Sequence, residues 1–586
     1  MARNKVLERA KVSISSGRAP FDLSQEGSIT SMCGEIDVPY WQPIVKGTKG
    51  SVNRSVIITR TADVVSPAFH RVTEHFDFFL VPIHSLWRSW ENWKLNINDL
   101  QDTNLVQWSD VQNTPNLTLP NNCPRMDFMG FIPKLFGTTE SAANARAMND
   151  ALRFADWFGY NPGKCAQSDG INSMVMNLFA AGAYQKCYFE HYRNTAYESN
   201  NPYAYNFDWL YPDDSGLVQL IPSKPKHLAV AKEWFKVRRV NMRNDYFHNI
   251  YPALNYVSSS PSGVGFSVPS SVGGVASGSP LSNFPAVSSG SSPFSPYIYQ
   301  SAGNMSSNSQ YLSVQSIRAA FALDKLMRAS AYAPKHVKEQ YKAQFGVDGH
   351  VYDSDMRSQR LGSFQSNVVF QEVTNMAESS DAKLGDLGAK GLGSSQGDKP
   401  ISFYAEYDSI LICLHYFLPR SRYDADGIFE WNTHISRESF FIKAFENLGL
   451  RPFYIRNLNG SLVTTFAWTV PNFEYKIKPD VNHGEFKQIF ITYEYESAAD
   501  PGERLYLNTQ MSDQLSTFVP HTLNNYPLTV YGYTADYFKV SPEDLDNIFR
   551  NQVPAHHPIG FYQFYTDYRI SVPVVAPMSV HGQPSL

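Results

Sequence analysis

No CxxC, HExxH or Gly-x4-Gly-Lys-Ser/Thr motif occurs in this 586-residue sequence, and GxSxG occurs once, as Gly393-Ser394-Ser395-Gln396-Gly397. Each absence removes a chemistry. Without CxxC there is no zinc ribbon and no thioredoxin-type couple. Without HExxH no pair of histidines shares a helix face as zincin ligands. The GxSxG match lies in a Gly/Ser-rich stretch read as a loop, not between an expected strand and helix, so it is not read as a nucleophile elbow. Gly163-Lys164 comes nearest to a phosphate loop, but Phe158 replaces the first glycine and Cys165 the hydroxyl residue. Asp424-Ala-Asp426-Gly427 sits in a calcium-loop-like frame, yet Arg422 and Thr433 occupy the first and last ligand positions, so a turn is expected. His556-His557 are adjacent and cannot chelate as a helical i,i+4 pair, and His70 and His75 flank a strand start. Gly385, Gly388, Gly391 and Gly393 follow no strand in dinucleotide-binding order. No catalytic residue, metal or cofactor is therefore expected.

The five cysteines (Cys33, Cys123, Cys165, Cys187, Cys413) are odd in number and scattered. That excludes a disulfide scaffold and suits mostly buried thiols in a reducing compartment. No run of 18 apolar residues occurs, so no transmembrane helix is expected, and the first residues lack the apolar stretch of a secretion signal. No repeat with a period of 20–50 residues is visible, which disfavours solenoids and repetitive fibres. Charge is sparse: 18% of residues, with 50 basic against 54 acidic and a net of -4. A uniformly basic nucleic-acid coat is thereby excluded.

What is abundant is aromatic: 34 Tyr, 38 Phe and 10 Trp, or 14%. Few charges and many rings favour β structure and wide buried contacts. In residues 72–80, Val72, Phe76, Phe78 and Leu80 share one strand face, with Thr73, His75 and Asp77 on the other. Trp87, Trp90 and Trp93 follow at three-residue spacing, as a core anchor or a subunit contact. Residues 95–172 read as loop-rich and 173–193 as a helix. Residues 316–345 read as helical, broken at Pro334, with Leu323, Leu326 and Met327, then Val337, Tyr341 and Phe345, as core stripes. Residues 376–398 read as a loop, and 408–418, 488–495 and 568–575 as strands. A helix is expected from Ser436 as N-cap through Phe440, Phe441, Ala444, Phe445 and Leu448 to a stop at Gly449.

Two basic stretches stand out. Residues 1–18 form an arm with Arg3, Lys5, Arg9, Lys11 and Arg18 against Glu8. Lys236, Arg238, Arg239 and Arg243 precede Tyr246 and Phe247. Cations beside rings suit sequence-tolerant binding of single strands; an ordinary solvated face is the other reading. Between Asp245 and Arg318 there is no Asp, Glu, Lys or Arg, and residues 258–309 hold 19 Ser and 7 Gly. A disordered linker and a packed surface excursion both remain open, the latter because Phe266, Phe284, Phe294, Tyr297 and Tyr299 punctuate the segment.

Several blocks resemble, in co-linear order, those of microvirus (Microviridae) major capsid proteins, in a gokushovirus-like or divergent branch. They include SPAFHRVTEHFDFFLVPIHSLWRSWENW (66–93), FDLS (21–24), AYQKCYFEHYRN (183–194), NDYFHNIYP (244–252), SIRAAFALDKLM (316–327) and ILICLHYFLPRSRYDADGIFEWN (410–432). NFEYKIKPD (472–480) and HGQPSL (581–586) extend the likeness. The sequence departs from the pattern at 329–335 and retains only Trp468 of a tryptophan-rich stretch.

The resemblance implies a mainly β fold: a viral eight-stranded jelly-roll sandwich with very long inter-strand insertions containing helices. Core strands would come from 19–95 and 400–586, insertions from 96–399, and a Ser/Gly-rich surface protrusion from 250–315. It implies a homo-oligomer of about sixty copies closed by symmetry around a circular single-stranded DNA genome. Further implied partners are a small basic DNA-packaging protein, a pilot protein and a bacterial cell-surface receptor, with no membrane insertion. The site of assembly would be the bacterial cytoplasm and the final location the virion. A β-sandwich carbohydrate-binding protein, or another phage structural protein such as a tail or spike component, is the alternative.

Overall fold

The computed structural model describes residues 17–62, 72–96, 120–136, 142–159, 175–251 (without 197 and 211–216), parts of 322–347, 357–374, 387–420 (without 397–398), 429–480 (without 447–448 and 458–464), 538–540 and 562–580. The strands are β1 (Ala19–Asp22), β2 (Gln25–Ser31), β3 (Asp37–Ile44), β4 (Lys49–Thr61), β5 (Val72–Pro82), β6 (Arg125–Asp127), β7 (Val175–Asn177), β8 (Gln359–Thr374), β9 (Leu387–Gln396), β10 (Ile401–Tyr404), β11 (Ser409–Pro419), β12 (Arg451–Tyr454), β13 (Thr465–Thr469), β14 (Phe564–Ser571) and β15 (Pro573–Ala576). The helices are α1 (Trp90–Lys94), α2 (Phe128–Phe136), α3 (Ala142–Trp157), α4 (Phe179–Cys187), α5 (Pro225–Trp234) and α6 (Val337–Phe345).

Eleven strands form one curled antiparallel sheet, where eight were expected. One layer runs β3-β11-β5-β8 and the other contains β2, β14, β4 and β9. Strand β8 joins them: Gln359–Val368 pair with β5, and Val369–Thr374 with β9. Strands β1, β15 and β10 gather along the sheet near the start of β4. This is the expected sandwich-type β fold. Strand β9 overturns the expectation of a loop over 376–398 and carries sheet strands into the presumed insertion. Its Gly393 has room for little more: a Cβ there would meet Val368 at 3.2 Å.

The core explains why β11 reads as a nearly continuous apolar run. Phe76, Phe78 and Leu80 of β5, with Leu411 and Cys413 of β11, point between the layers at Val52, Ile57, Tyr568 and Ile570. The intervening Phe79, Val81, Ile410, Ile412 and Leu414 point the other way, onto the inserted helices. A strand buried on both faces has no polar alternation. Val72 shares the face of Phe76, because β5 pairs with β11 without a register shift from Val72 to Pro82. Helix α4 has no solvent side at all, since every residue from Phe179 to Cys187 is buried. A third, smaller core joins Tyr246, Phe247, Ile250, Phe453, Phe473 and Phe538.

Other expectations change. Helices α2 and α3 occupy the stretch read as loop-rich, and their Phe131, Phe154 and Phe158 neighbourhood is part of the core. Over the described residues 436–446 the expected helix does not form. Short 3-10 turns at Arg437–Ser439 and Lys443–Phe445 stand in its place, after another at Glu430–Thr433. Ser436 makes no side-chain cap bond to the backbone there. Helix α6 forms and ends at Gly346 in the left-handed region, but its Val337, Tyr341 and Phe345 stripe is exposed, Phe345 at 67%. Leu326 is exposed as well. The strand expected at 488–495 lies outside the described residues. Among the described residues, no helix is long and apolar enough to cross a membrane.

Candidate functional site

Three places hold the residues to which the sequence pointed. The first is the tryptophan cluster. Trp87 is 3% exposed, and its ring centroid lies 5.8 Å from that of Trp93 and 6.3 Å from that of Phe179. Trp90 lies 5.2 Å from Phe179, and its indole N–H donates to Asp408 Oδ2 at 3.2 Å. The Trp93 N–H donates to the Pro120 carbonyl at 2.9 Å. Trp87 is committed to packing within the chain, and Trp90 and Trp93 stay half-buried beside it, so the cluster anchors the end of β5 to α4 and leaves part of Trp90 and Trp93 accessible.

The second place is the basic strip 236–243. Its backbone is extended and laid against the start of β3: Ile36 N–H donates to the Arg238 carbonyl at 2.9 Å, and Val240 N–H to that of Gly34 at 2.8 Å. On the other side Val540 N–H donates to the Val240 carbonyl at 3.0 Å, and Met242 N–H to that of Phe538 at 2.7 Å. Extended backbone sends side chains alternately in and out. Lys236 and Arg243 are exposed and Arg239 is half-buried.

Arg238 points inward and is only 4% exposed. Its Nε donates to Gln185 Oε1 at 2.8 Å, and its Nη2 to the Glu233 carbonyl and Oε2 at 3.1 and 3.0 Å. Its guanidinium lies 5.0 Å from the Tyr188 ring and 4.8 Å from the Phe189 ring. A DNA-facing role for Arg238 is therefore withdrawn. Lys539 sits in the same cluster, donating to Tyr188 Oη at 2.7 Å and pairing with Glu198 at 3.1 Å. Burial pushes its ammonium down to about 8.

Beside Arg243 a cleft of about 190 Å³ is lined by Met242, Asn244, Asp245, Arg420, Ile477, Lys478 and Asp480 as well. Three cations meet two carboxylates there. Asp480 lies 3.7 Å from Arg420, and Asp245 is engaged with His248 at 2.9 Å. Arg420 and Lys478 are far from Arg243 in sequence, and nothing in their local pattern marks them.

The third place carries buried charge inside the fold. Glu74 sits between the layers and accepts from Thr59 at 2.8 Å, Ser366 at 2.9 Å and Thr566 at 3.2 Å, with His415 Nε2 at 2.9 Å. Burial alone would raise its carboxyl, but His415, Thr59 and Ser366 outweigh this and hold it below the usual range. At the start of β3, Arg153 of α3 reaches Glu35 at 2.7 Å and Asp37 at 3.2 Å. Full burial lifts Asp37 to about 7, against the pull of Arg153 and His415. One of its oxygens, Oδ2, is buried without a hydrogen-bond partner. The Tyr184 hydroxyl closes the joint, donating to the Ile36 carbonyl at 3.0 Å and accepting from Arg238 N–H at 2.9 Å. The Arg153 and Tyr184 contacts brace α3, α4 and the 236–240 strip against the start of β3. Among the described residues no cluster of three metal-ligating side chains occurs.

Residues 10–161 match the family model of the capsid protein (F protein). This is the microvirus major capsid protein family. The matched stretch spans β1 to β5 and α1 to α3, and so includes the tryptophan anchor and the Glu35–Asp37–Arg153 joint. The family is structural, and its proteins are virion components of bacteriophages. No individual curated protein matches the chain.

Arg3, Lys5, Arg9 and Lys11 lie outside the described residues, as do Phe266, Phe284, Phe294, Tyr297 and Tyr299.

Proposed function

We propose that this chain is the shell-forming subunit of a small icosahedral bacteriophage, assembling in about sixty copies around circular single-stranded DNA. The observation that carries the reading is the capsid-family match over residues 10–161, on a segment that builds half of an antiparallel sandwich. Assembly takes place in the host cytoplasm. Arg3, Lys5, Arg9 and Lys11 of the arm, with Lys236, Arg239 and Arg243, face the genome, and the cleft cations Arg420 and Lys478 extend that set. A genome of several thousand phosphates leaves tens of negative charges per subunit, on the order of ten times what the arm neutralises. A small basic packaging protein or polyamines supply the balance. A pilot protein completes the particle. Residues 250–315 form the outward protrusion that meets a bacterial receptor, their chargeless Ser/Gly surface being suited to the outside of the shell.

Negative-stain electron microscopy of the purified protein, with absorbance ratios after nuclease treatment, tests this reading. Uniform small icosahedral particles with protected DNA are expected. A monomer that binds glycans and never forms particles would overturn it in favour of a carbohydrate-binding sandwich. Protease cleavage of intact particles should fall within 250–315; full protection there would place the segment inside the shell.

A further inference from the structure

We infer that Trp431, Ile435, Phe440, Phe441, Phe445 and Tyr475 form a contact surface for a second copy of this chain. The inference rests on the capsid reading and goes further by naming the surface. All six side chains are exposed, Ile435 at 92%. Four of them stand in two ring pairs: Trp431 lies 6.2 Å from Phe440, and Phe441 lies 6.3 Å from Tyr475, centroid to centroid.

What lies beneath them is charged and buried. Glu474 is paired with Arg451 and lies 3.6 Å from His434. Glu430 accepts from Arg456 at 3.0 Å. The hydrophobic and polar sides are thus inverted relative to an ordinary surface loop, with ion pairs inside and rings outside. The pairs fix the backbone of 430–434 and 473–475, so the rings are presented without the ordering cost that a flexible loop would carry on binding.

Size and charge point to the occupant. Five aromatic side chains a little under half exposed, plus Ile435, offer on the order of 500 Å² of apolar surface. That is the upper end of what a monomer leaves uncovered, and most of the roughly 800 Å² that each partner contributes to a stable interface. Aromatic side chains are also the usual hot spots of such interfaces. The rim carries both signs, with Arg437, Lys443 and Lys476 beside Glu438 and Glu446. Lys443 is itself paired with Glu446. A mixed rim suits a partner of balanced charge, and this chain has a net of only -4. A polyanion would favour a rim of one sign.

The test uses full-length chain in purified particles. Hydroxyl-radical footprinting with mass spectrometry compares Trp431, Phe440 and Tyr475 in intact particles, DNA-filled and empty, with the same residues in dissociated subunits. About a tenfold fall in modification is expected in both kinds of particle, because interface cores exclude water. Particles whose contact surface is modified as fast as free subunits would overturn the inference and leave the capsid reading standing. Protection in filled particles alone would also overturn it, in favour of base stacking on DNA. A wild-type chain that forms no particle would bring down the capsid reading itself. In parallel, Phe440→Ser/Phe441→Ser should raise the subunit concentration needed for assembly about tenfold or more per residue lost. Unchanged assembly of that variant counts against the contact surface; if the variant fails to fold, the footprint decides.

Discussion

Arg238→Ala separates two roles that adjacent arginines in a sequence cannot distinguish. If Arg238 touched DNA, its loss would lower genome content and leave the subunit stable. The structure places it between Gln185, Glu233, Tyr188 and Phe189, nearly fully buried. Truncation removes a buried guanidinium and leaves the buried Gln185 acceptor without its donor, while Glu233, 38% exposed, can turn to water. With the solvent-screened pair discounted, the lost packing and hydrogen bonds cost about 2–4 kcal/mol. Arg238→Lys keeps the charge but loses the fork that bonds two acceptors at once, for about 1–3 kcal/mol. Exposed Arg243 has no comparable burial, and Arg243→Ala should stay within about 0.5 kcal/mol of wild type. Urea unfolding of dissociated subunits measures all three, alongside the DNA-to-protein ratio of purified particles. The expected order of stability is wild type and Arg243→Ala together, then Arg238→Lys, then Arg238→Ala. An Arg238→Ala subunit that unfolds at the wild-type midpoint, in particles depleted of DNA, would refute the assignment.

Two further substitutions probe the braces within the subunit. Asp37 titrates near 7 when folded and near 3.9 when unfolded, so the folded state holds the extra proton between those values. The stability this contributes is complete below pH ~4 and is lost as pH rises through about 7. Asp37→Asn cannot ionise, so its unfolding free energy should gain on wild type by about 2–4 kcal/mol from pH ~4 to pH ~8. Parallel pH profiles for the two proteins would contradict the buried-carboxyl account. Gly34 has φ +75°, and a Cβ there would meet the Val540 side chain at 2.6 Å and its carbonyl oxygen at 2.8 Å. Gly34→Ala should cost about 2–4 kcal/mol in the same urea assay and loosen the 538–540 segment, read as faster amide exchange at Val540. Wild-type exchange there would show that the close approach is not a constraint.

Periodicity by itself determined the strands. Residues 72–80, 408–418 and 568–575 were legible because a strand that packs on at least one face must be apolar at alternate positions. Co-linear blocks pointed to the capsid family, and the family-model match covers those within residues 10–161. Strand β9 was not legible: Leu387–Gln396 is Gly- and Ser-rich, and only the neighbouring β4 and β8 make it a strand. The 436–446 stretch has helical spacing, but its Phe440, Phe441 and Phe445 stay exposed, so a helix there would gain little from packing, and short 3-10 turns form instead. Residue type also left direction undecided. Arg238 and Arg239 are chemically alike, and an extended backbone turns one toward Tyr188 while the other stays half-exposed. Trp87 and Trp431 are the same residue with opposite fates, one covered by α4 and the other left open on the surface. Local spacing depends on neighbours a few residues away, whereas burial depends on what the rest of the chain, or another copy of it, brings against each face.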